Sequence, residues 1–176
     1  MVNVSALQLR RPGFEERLSA VLQKTELPPA LLELELTESA IMQETLAGSA
    51  LLHRLAEEGV GLAIDDFGTG YSSLAYLRKL DATRLKIDRS FVADMVEDAE
   101  ACAIVASMVG MARALGLKVT AEGVESAAQV ELLRDLGCDD VQGYYFAPPF
   151  AEVALLSRLS EWQDGFSPAS APDSTV

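Results

Sequence analysis

Apolar residues follow two alternating periods along most of the 176-residue chain. Short runs with a period of two, or with nearly continuous apolar character, are typical of strands, whereas apolar positions three to four residues apart are typical of amphipathic helices. The predicted strands are VNVS, LLELELTES, GLAIDDFG, ATRLKIDRS, KVTAEGV and DDVQGYYFAPPF. Each precedes a predicted helix, in order FEERLSAVLQKT, LAGSALLHRLAEEG, SSLAYLRKL, AEACAIVASMVGMARALG, SAAQVELLRDLG and AEVALLSRLSEW. The pattern therefore predicts six strand–helix units.

Residues at the ends of the predicted helices support these boundaries. Gly59, Gly116 and Gly137 follow three of the helices, at positions where glycine adopts a left-handed conformation at little cost. Asp98 and Ser126 precede two helices and are suited to act as N-caps.

Strands that alternate with helices predict an α/β fold with a parallel sheet and right-handed connections. A TIM-like (β/α)8 barrel has eight such units, so we expect an N-terminally incomplete barrel with about six units present. An open doubly wound sheet is the alternative, although the first turn lacks its glycine-rich phosphate-binding sequence. We expect one domain over residues 1–164. The segment 165–176, which contains FSPASAPDSTV, is predicted to be disordered because it is rich in Ser, Pro and Ala.

Composition and charge narrow the function. The chain is 49% hydrophobic and has a formal net charge of −13, which argues against unaided binding to DNA or RNA. No apolar run reaches the ~18 residues of a membrane span, and the N-terminus has no secretion signal. Cys102 and Cys138 have no metal-like spacing and are expected to be buried free thiols in a reducing cytoplasm. His53 is expected to be a surface or packing residue.

Polar residues, most of them acidic, occupy the carboxyl ends of the predicted strands. They are Asn3, Glu35, Glu38, Asp65, Asp66, Lys86, Asp88, Glu122, Glu125 and Gln142. Both candidate folds bring these strand ends to one rim. Carboxylates that converge there repel one another unless a cation lies among them, and oxygen ligands suit Mg²⁺ or Mn²⁺. The adjacent Asp65 and Asp66 could serve two ions, which would clamp the attacking and leaving oxygens of a phosphodiester.

The alternative interpretation is that each acid is a helix cap or forms a surface ion pair. Glu33, Glu57, Glu58 and the Asp139–Asp140 pair are predicted to belong to that class. Five strand ends with the same character are unlike a chance arrangement, so a divalent metal site is favoured. Side-chain alternation also predicts that the leucines of LLELELTES face the helices and that Glu33 and Glu35 point into a barrel.

Six segments resemble the EAL domain family, the bacterial phosphodiesterases of cyclic di-GMP. They are VNVSALQL, LELELTES, AIDDFGTGYSSLAYL, LKIDRSFV, VTAEGVES and VQGYYFAPP, between residue 2 and about residue 149. The resemblance implies a (β/α)8 barrel with one antiparallel strand that hydrolyses cyclic di-GMP to linear pGpG with two Mg²⁺ or Mn²⁺ ions. It also implies that Asn3, Glu35 and Asp65 bind one ion, and that Asp65, Asp66 and Glu122 surround the second.

The resemblance implies further roles. Glu122 is a candidate general base as well as a metal ligand, and Lys86 resembles the lysine that holds the catalytic water. Glu38 resembles the residue that steadies the DDFGTG loop, through which the family couples its site to dimerisation. The residues expected to line the substrate site or support its loops are Asp88, Glu125, Gln142 and Pro148. The expected partners are cyclic di-GMP, a second copy of the chain and an upstream sensory or GGDEF-type domain.

One feature of the family is missing from the sequence. The E-A-L motif, with its metal-binding glutamate and a nearby phosphate-binding arginine, does not occur. Three hypotheses therefore stay open: an enzyme that assembles its site alone or as a dimer, a catalytically impaired cyclic di-GMP-binding or interaction module, and an inactive remnant.

Overall fold

A six-stranded parallel sheet forms the centre of the protein. The computed structural model describes residues 1–42, 46–70, 77, 80–155 and 159. The strands are β1 (Val2–Asn3), β2 (Glu33–Thr37), β3 (Gly61–Phe67), β4 (Arg84–Ile87), β5 (Lys118–Ala121) and β6 (Asp140–Val141). The helices are α1 (Ala6–Leu9), α2 (Phe14–Thr25), α3 (Glu38–Met42), α4 (Leu46–Glu57), α5 (Arg89–Val92), α6 (Ala99–Ala114) and α7 (Ala127–Leu136), with short 3-10 turns at Pro29–Leu31 and Glu152–Ala154.

The order of the strands in the sheet is that of a barrel. Each strand pairs in parallel with the strand that precedes it along the chain, so the spatial order is β1-β2-β3-β4-β5-β6. A doubly wound sheet would reverse its direction at a switch point next to the first strand. The described part of the sheet contains no such reversal, which excludes that alternative.

The hydrophobic core lies between the sheet and the helices. Leu34 and Leu36 of β2 are almost fully buried, and they belong to one apolar cluster with Val105 and Val109 of α6 and Leu133 of α7. The leucines of β2 therefore face the helices, as alternation along the strand predicts. The opposite face of the sheet carries the polar residues that form the candidate site.

The five helix boundaries that glycines and N-caps predicted are confirmed. Gly59, Gly116 and Gly137 have positive φ angles of 93°, 76° and 86°. The side chain of Asp98 accepts a hydrogen bond from Glu100 N at the start of α6, and that of Ser126 accepts one from Gln129 N at the start of α7.

The last predicted strand is wrong over most of its length. In DDVQGYYFAPPF only Asp140–Val141 form a strand. After Gln142 the chain turns tightly against the loop that follows β5, and a Cβ atom on Gly143 would lie 2.1 Å from Val124 O. The sequence pattern missed this turn because Tyr144 and the residues after it are aromatic and apolar, as in a strand.

Other predictions can be compared with the structure only in part, because some of their residues lie outside the described ranges. Most of the SSLAYLRKL helix, the second half of the AEVALLSRLSEW helix and the segment 165–176 lie outside the described residues, and so does the end of the domain at residue 164. Cys102 and Cys138 are free thiols but only part-buried. His53 is exposed, as expected, and bonds Asp81. No helix in the described ranges is long and apolar enough to cross a membrane.

An ion-pair network lies on the polar face of the sheet near the amino ends of the strands. Arg84 of β4 donates hydrogen bonds to Glu33 of β2 at 2.9 Å, to Thr120 of β5 at 2.7 Å, and to Asp140 of β6. Glu33 and Asp140 do form ion pairs, as predicted, but the partner of both is a side chain that is only 12% exposed. The network joins four strands and extends from the part-buried Arg84 and Glu33 to the exposed Asp140.

We expect the substitution Arg84→Met to lower the free energy of unfolding by about 3 kcal/mol, because it leaves the part-buried Glu33 carboxylate without its cation. The control Arg134→Met removes the same charge from a side chain that is 72% exposed and paired only loosely with Asp135, and it should cost less than about 0.5 kcal/mol. Urea unfolding of both variants measures the difference. Equal losses would mean that the Arg84 network contributes no more than a surface pair.

Candidate metal centre

The register of the strands gathers most of the predicted site residues on one face. Asn3 lies opposite Glu35, and Asp65 lies opposite Thr37, two residues after Glu35 on the same face. Lys86 lies opposite Thr120, which is two residues before Glu122. Because residues opposite one another in a sheet, and residues two apart in a strand, share a face, these side chains converge at the carboxyl ends of the strands.

Lys86 is the centre of the cluster. Its Nζ atom lies 3.0 Å from Glu35 Oε1, 2.8 Å from Asp65 Oδ1 and 2.6 Å from Glu122 Oε1. The lysine side chain is only 4% exposed. Gln142 Nε2 donates a second hydrogen bond to Glu122 Oε1 at 2.7 Å. One buried ammonium group thus holds carboxylates from three other strands or strand ends.

A β-bulge brings the second aspartate to the same cluster. Between β3 and β4 the register shifts, so that Ile64 lies opposite Leu85 but Phe67 lies opposite Ile87. The pair Asp65–Asp66 therefore faces the single residue Lys86, which is the two-against-one arrangement of a bulge. Asp66 has a φ angle of +52°, in the left-handed region that aspartate tolerates better than most residues. In a regular strand, two consecutive side chains would point to opposite faces.

Acidic groups outnumber basic groups in the cluster, and this imbalance, together with burial, shifts the pKa values of its side chains. Burial, followed by the charges of Asp65 and Asp88, raises the pKa of Asp66. Burial also raises the pKa of Glu122, and the hydrogen bond from Lys86 offsets this only in part. Burial alone would lower the pKa of Lys86, but the three carboxylates outweigh it and raise that pKa. Lys86 is therefore charged at neutral pH; three carboxylates contact it, and Asp66 lies next to two of them.

The donor atoms fit a divalent ion. Ligand oxygens of Asp65, Asp66 and Glu122 all lie within 4.8 Å of one another. Asp65 Oδ1 is buried without a well-directed hydrogen bond, and its contact with Lys86 is an ion pair. Carboxylate oxygens are the ligands that Mg²⁺ and Mn²⁺ take in proteins. Glu35, whose Oε1 atom lies 3.0 Å from Lys86 Nζ, could join this set, whereas Asn3 is beside Glu35 but exposed.

Glu38 lies behind the turn that follows the aspartates. Its side chain is 2% exposed, and its Oε2 atom accepts a hydrogen bond from Gly68 N at 2.9 Å. A Cβ atom on Gly70 would lie 2.8 Å from Glu38 Oε1, so the Glu38 carboxylate also packs closely against Gly70. Glu38 Oε1 has no hydrogen-bond partner among the described residues. The contact with Gly68 is the one expected of a residue that supports the DDFGTG turn; that role stays a prediction.

A cavity of about 640 Å³ opens beside the cluster. The predicted site residues that line it are Asp66, Asp88, Glu122, Glu125, Gln142 and Pro148. Asp88 caps α5 by accepting a hydrogen bond from Ser90 N; burial would raise the pKa of its carboxyl, but the hydrogen bonds from Ser90 outweigh this and lower it. The cavity has room for a ligand of drug size.

The cavity wall also contains residues that were not predicted from the sequence, among them Arg89, Gly123, Tyr144 and Phe146. Arg89 is the only basic side chain on the wall within the described ranges. Its position directly after the LKID strand indicates that it lies at the rim of the sheet, but a pattern of acidic strand ends does not include it. The aromatic and apolar pattern places Tyr144 and Phe146 in a strand, which gives no indication that they line a site.

Comparisons with known proteins agree with this geometry. The model of the EAL domain family matches residues 1–149. MucR of Pseudomonas aeruginosa, described as a bifunctional diguanylate cyclase/cyclic di-GMP phosphodiesterase, is 44% identical over 159 residues, which make up 90% of this chain and 23% of MucR. The chain thus spans less than a quarter of the length of that relative.

Solved structures also show similarity to EAL proteins. The MucR phosphodiesterase in complex with cyclic di-GMP superposes with a TM-score of 0.82 at 44% identity, over 87% of this chain and 62% of that one. The EAL domain of Mycobacterium smegmatis DcpA gives 0.86 at 37% identity, over 94% and 73%. A manganese and cyclic di-GMP complex of Klebsiella pneumoniae BlrP1 gives 0.77 at 32% identity, over 84% and 38%.

The predicted TIM-like barrel is confirmed, because the structural neighbours are EAL domains with that architecture and the described strands follow its order. A family match over residues 1–149 and substantial identity along most of the chain agree with the six sequence segments that carried the resemblance. The chain belongs to the EAL domain family.

Proposed function

We propose that this chain is a phosphodiesterase domain that hydrolyses cyclic di-GMP to linear pGpG with the help of two divalent metal ions. The observation that carries the proposal is the cluster of three carboxylates around one buried lysine, with Asp66 next to two of them, beside a cavity large enough for a ligand. The solved MucR phosphodiesterase contains cyclic di-GMP, and BlrP1 was solved with manganese and the same dinucleotide.

The residues of the cluster would have different roles in metal binding and in orientation. Asp65, Asp66 and Glu122, with Glu35 beside them, would hold Mg²⁺ or Mn²⁺. Bound ions of this kind lower the pKa of water and neutralise charge on a phosphodiester. Lys86 orients three of the carboxylates and keeps a positive charge next to the place where phosphate oxygens would lie.

Glu122 is the best placed acceptor for the proton of the attacking water. It borders both the metal cluster and the cavity, and burial raises its pKa. A carboxylate with a raised pKa is a stronger base at neutral pH than an exposed one. Gln142 and Lys86 fix the orientation of Glu122 by donating hydrogen bonds to the same oxygen.

The wider setting belongs to the same proposal. We expect the reaction to take place in the bacterial cytoplasm, in a homodimer formed through the DDFGTG region, with a sensory or GGDEF-type domain in the same signalling protein. MucR, which is described as bifunctional, has such a combination of cyclase and phosphodiesterase activities.

The first test incubates the chain with cyclic di-GMP and Mn²⁺ and measures pGpG, with Asp65→Asn and Glu57→Ala as variants. Asp65→Asn removes a charge from the cluster and should reduce both Mn²⁺ affinity and hydrolysis by about 100-fold. Glu57 is exposed on α4, so its variant should stay within about twofold of the wild type. Equal effects of the two substitutions would contradict the assignment of a metal site to this cluster. Binding of cyclic di-GMP without hydrolysis by the wild type would favour a binding module instead.

A second prediction separates the charge of Asp66 from its backbone conformation. Asp66→Asn should stabilise the metal-free protein, because it removes a part-buried charge that Asp65 and Asp88 repel, and asparagine tolerates the left-handed conformation. We expect a melting temperature ~2–4 °C higher in EDTA, together with loss of the stabilisation that Mn²⁺ gives the wild type.

Asp66→Ala is the matched variant, because alanine also lacks the charge but is strained at positive φ by about 1 kcal/mol. It should melt below Asp66→Asn by a corresponding amount. A lower melting temperature of Asp66→Asn than of the wild type in EDTA would show that Asp66 is a structural rather than a repulsive charge.

A third prediction concerns Lys86. Lys86→Met leaves the carboxylates without their counter-charge and should lower the free energy of unfolding by about 3 kcal/mol or more in the absence of metal. Mn²⁺ should then stabilise this variant more than it stabilises the wild type, because the added cation replaces the lost one. Lys118→Met is the control, since Lys118 is exposed at the opposite end of a strand. An equal shift of melting temperature with Mn²⁺ in the wild type and in Lys86→Met would contradict the prediction.

A further inference from the structure

The side chain of Gln129 joins two loops of the cavity wall. Gln129 lies in the first turn of α7 and is 6% exposed. Its Oε1 atom accepts hydrogen bonds from Glu125 N at 2.7 Å and Ser126 N at 3.0 Å. Its Nε2 atom donates to Val92 O at 3.1 Å and Ala93 O at 3.3 Å, at the end of α5. One buried carboxamide therefore connects the loop after β5 to the segment after β4.

The two connected segments face the cavity. The loop after β5 carries Glu122 and Glu125, and the segment after β4 carries Asp88 and Arg89. A backbone hydrogen bond from Glu122 N to Ile87 O joins them at the strand ends, at 3.1 Å. The bonds of Gln129 join them again on the far side of the loop, about one helical turn beyond Arg89.

The contact between these two anchoring points is tight. A Cβ atom on Gly123 would lie 2.4 Å from Arg89 Cβ, so the loop after β5 packs directly on the residue that supplies the basic side chain of the cavity. Gly123 also has a φ angle of +66°, which favours glycine. The spacing of the two segments is therefore set by the strand bond, by this contact and by Gln129.

We infer that Gln129 is a positioning residue, which fixes the spacing between the Asp88–Arg89 wall and the Glu122–Glu125 wall and so determines how tightly the substrate is bound. The inference rests on the proposed function for its link to the substrate. It assigns Gln129 no contact with the metal centre, because Lys86 and Gln142 hold the carboxylate of Glu122 independently.

The competing interpretation is that Gln129 only caps α7. Ser126 and Gln129 form a capping box, in which the Ser126 side chain accepts from Gln129 N and Gln129 Oε1 accepts from Ser126 N. A capping box uses only the oxygen of the N3 side chain, and glutamate serves as well as glutamine. The hydrogen bonds donated by Nε2 leave the helix and have no part in capping.

The variant Gln129→Glu separates the two roles. It keeps the capping oxygen but places a second oxygen against the carbonyls of Val92 and Ala93, which repel it. The control is Gln8→Glu, because Gln8 forms the same capping box with Ser5 at the start of α1, where the side chain is exposed. Both variants add one negative charge at the third position of a helix, and only one of them breaks a connection between loops.

We expect Gln129→Glu to raise the KM for cyclic di-GMP about tenfold, the effect of losing one or two ordinary hydrogen bonds, with kcat and Mn²⁺ affinity within about twofold of the wild type. Gln8→Glu should change none of the three. A purely structural loss would reduce the amount of active protein, which lowers the apparent kcat and leaves KM unchanged. An unchanged KM in Gln129→Glu would overturn the inference.

Amide hydrogen exchange gives a readout that does not depend on activity. Exchange in residues 122–125 and 88–93 should be faster in Gln129→Glu than in the wild type and in Gln8→Glu. This result would stand even if the wild type hydrolysed nothing, so that failure of the proposed function and failure of the inference remain distinguishable. Unchanged exchange would mean that Gln129 only caps α7. If Gln129→Glu does not fold, Gly123→Ala, which pushes the same segments apart, should raise the KM and the exchange in the same way; no effect would again contradict the inference.

Discussion

The buried ammonium group of Lys86 is the interaction on which the site depends. Carboxylates on β2, on β3 and just after β5 would repel one another in a space that water barely reaches, and Lys86 is the cation that lies 2.6–3.0 Å from all three. A buried ion pair of this kind contributes little net stability in general, whereas the loss of one partner is costly. The cluster therefore adds little net stability of its own, and the barrel depends on other contacts. The apolar residues on the opposite face of the same strands, such as Leu34 and Leu36, provide those contacts.

Two polar layers on the inner face of the sheet show how the same geometry serves different purposes. In the lower layer, one cation, Arg84, is paired with two acids, Glu33 and Asp140, and with the neutral hydroxyl of Thr120. In the upper layer, two residues further along the strands, one cation, Lys86, contacts three acids, and Asp66 lies next to two of them. The excess of negative charge is larger in the upper layer, and that layer is the one that opens on the cavity. This contrast supports a cation site at the upper layer more strongly than the presence of acids alone.

Much of the fold could be predicted from the sequence because it depends on local patterns. Period-two and helical patterns identified the six strands, and glycine and capping residues identified the helix ends. Parallel pairing then placed Glu35, Lys86 and Glu122 on one rim. The bulge at Asp66 and the turn at Gly143 could not be predicted in this way, since both depend on the fit between neighbouring segments. A register shift against β4 and the lack of room beside Val124 are tertiary properties.

The same distinction explains which site residues the sequence revealed. Acidic residues at several strand ends form a pattern in the sequence itself. Because burial of charge is costly, such a pattern indicates a site. Arg89 and Gln129 carry no such signal: one is a single basic residue after a strand, and the other is an ordinary third residue of a helix. Their importance follows from what lies against them, Gly123 in one case and the carbonyls of Val92 and Ala93 in the other. In this barrel the strands supply the charged groups, and the loops beyond them determine the distance across which those groups meet a ligand.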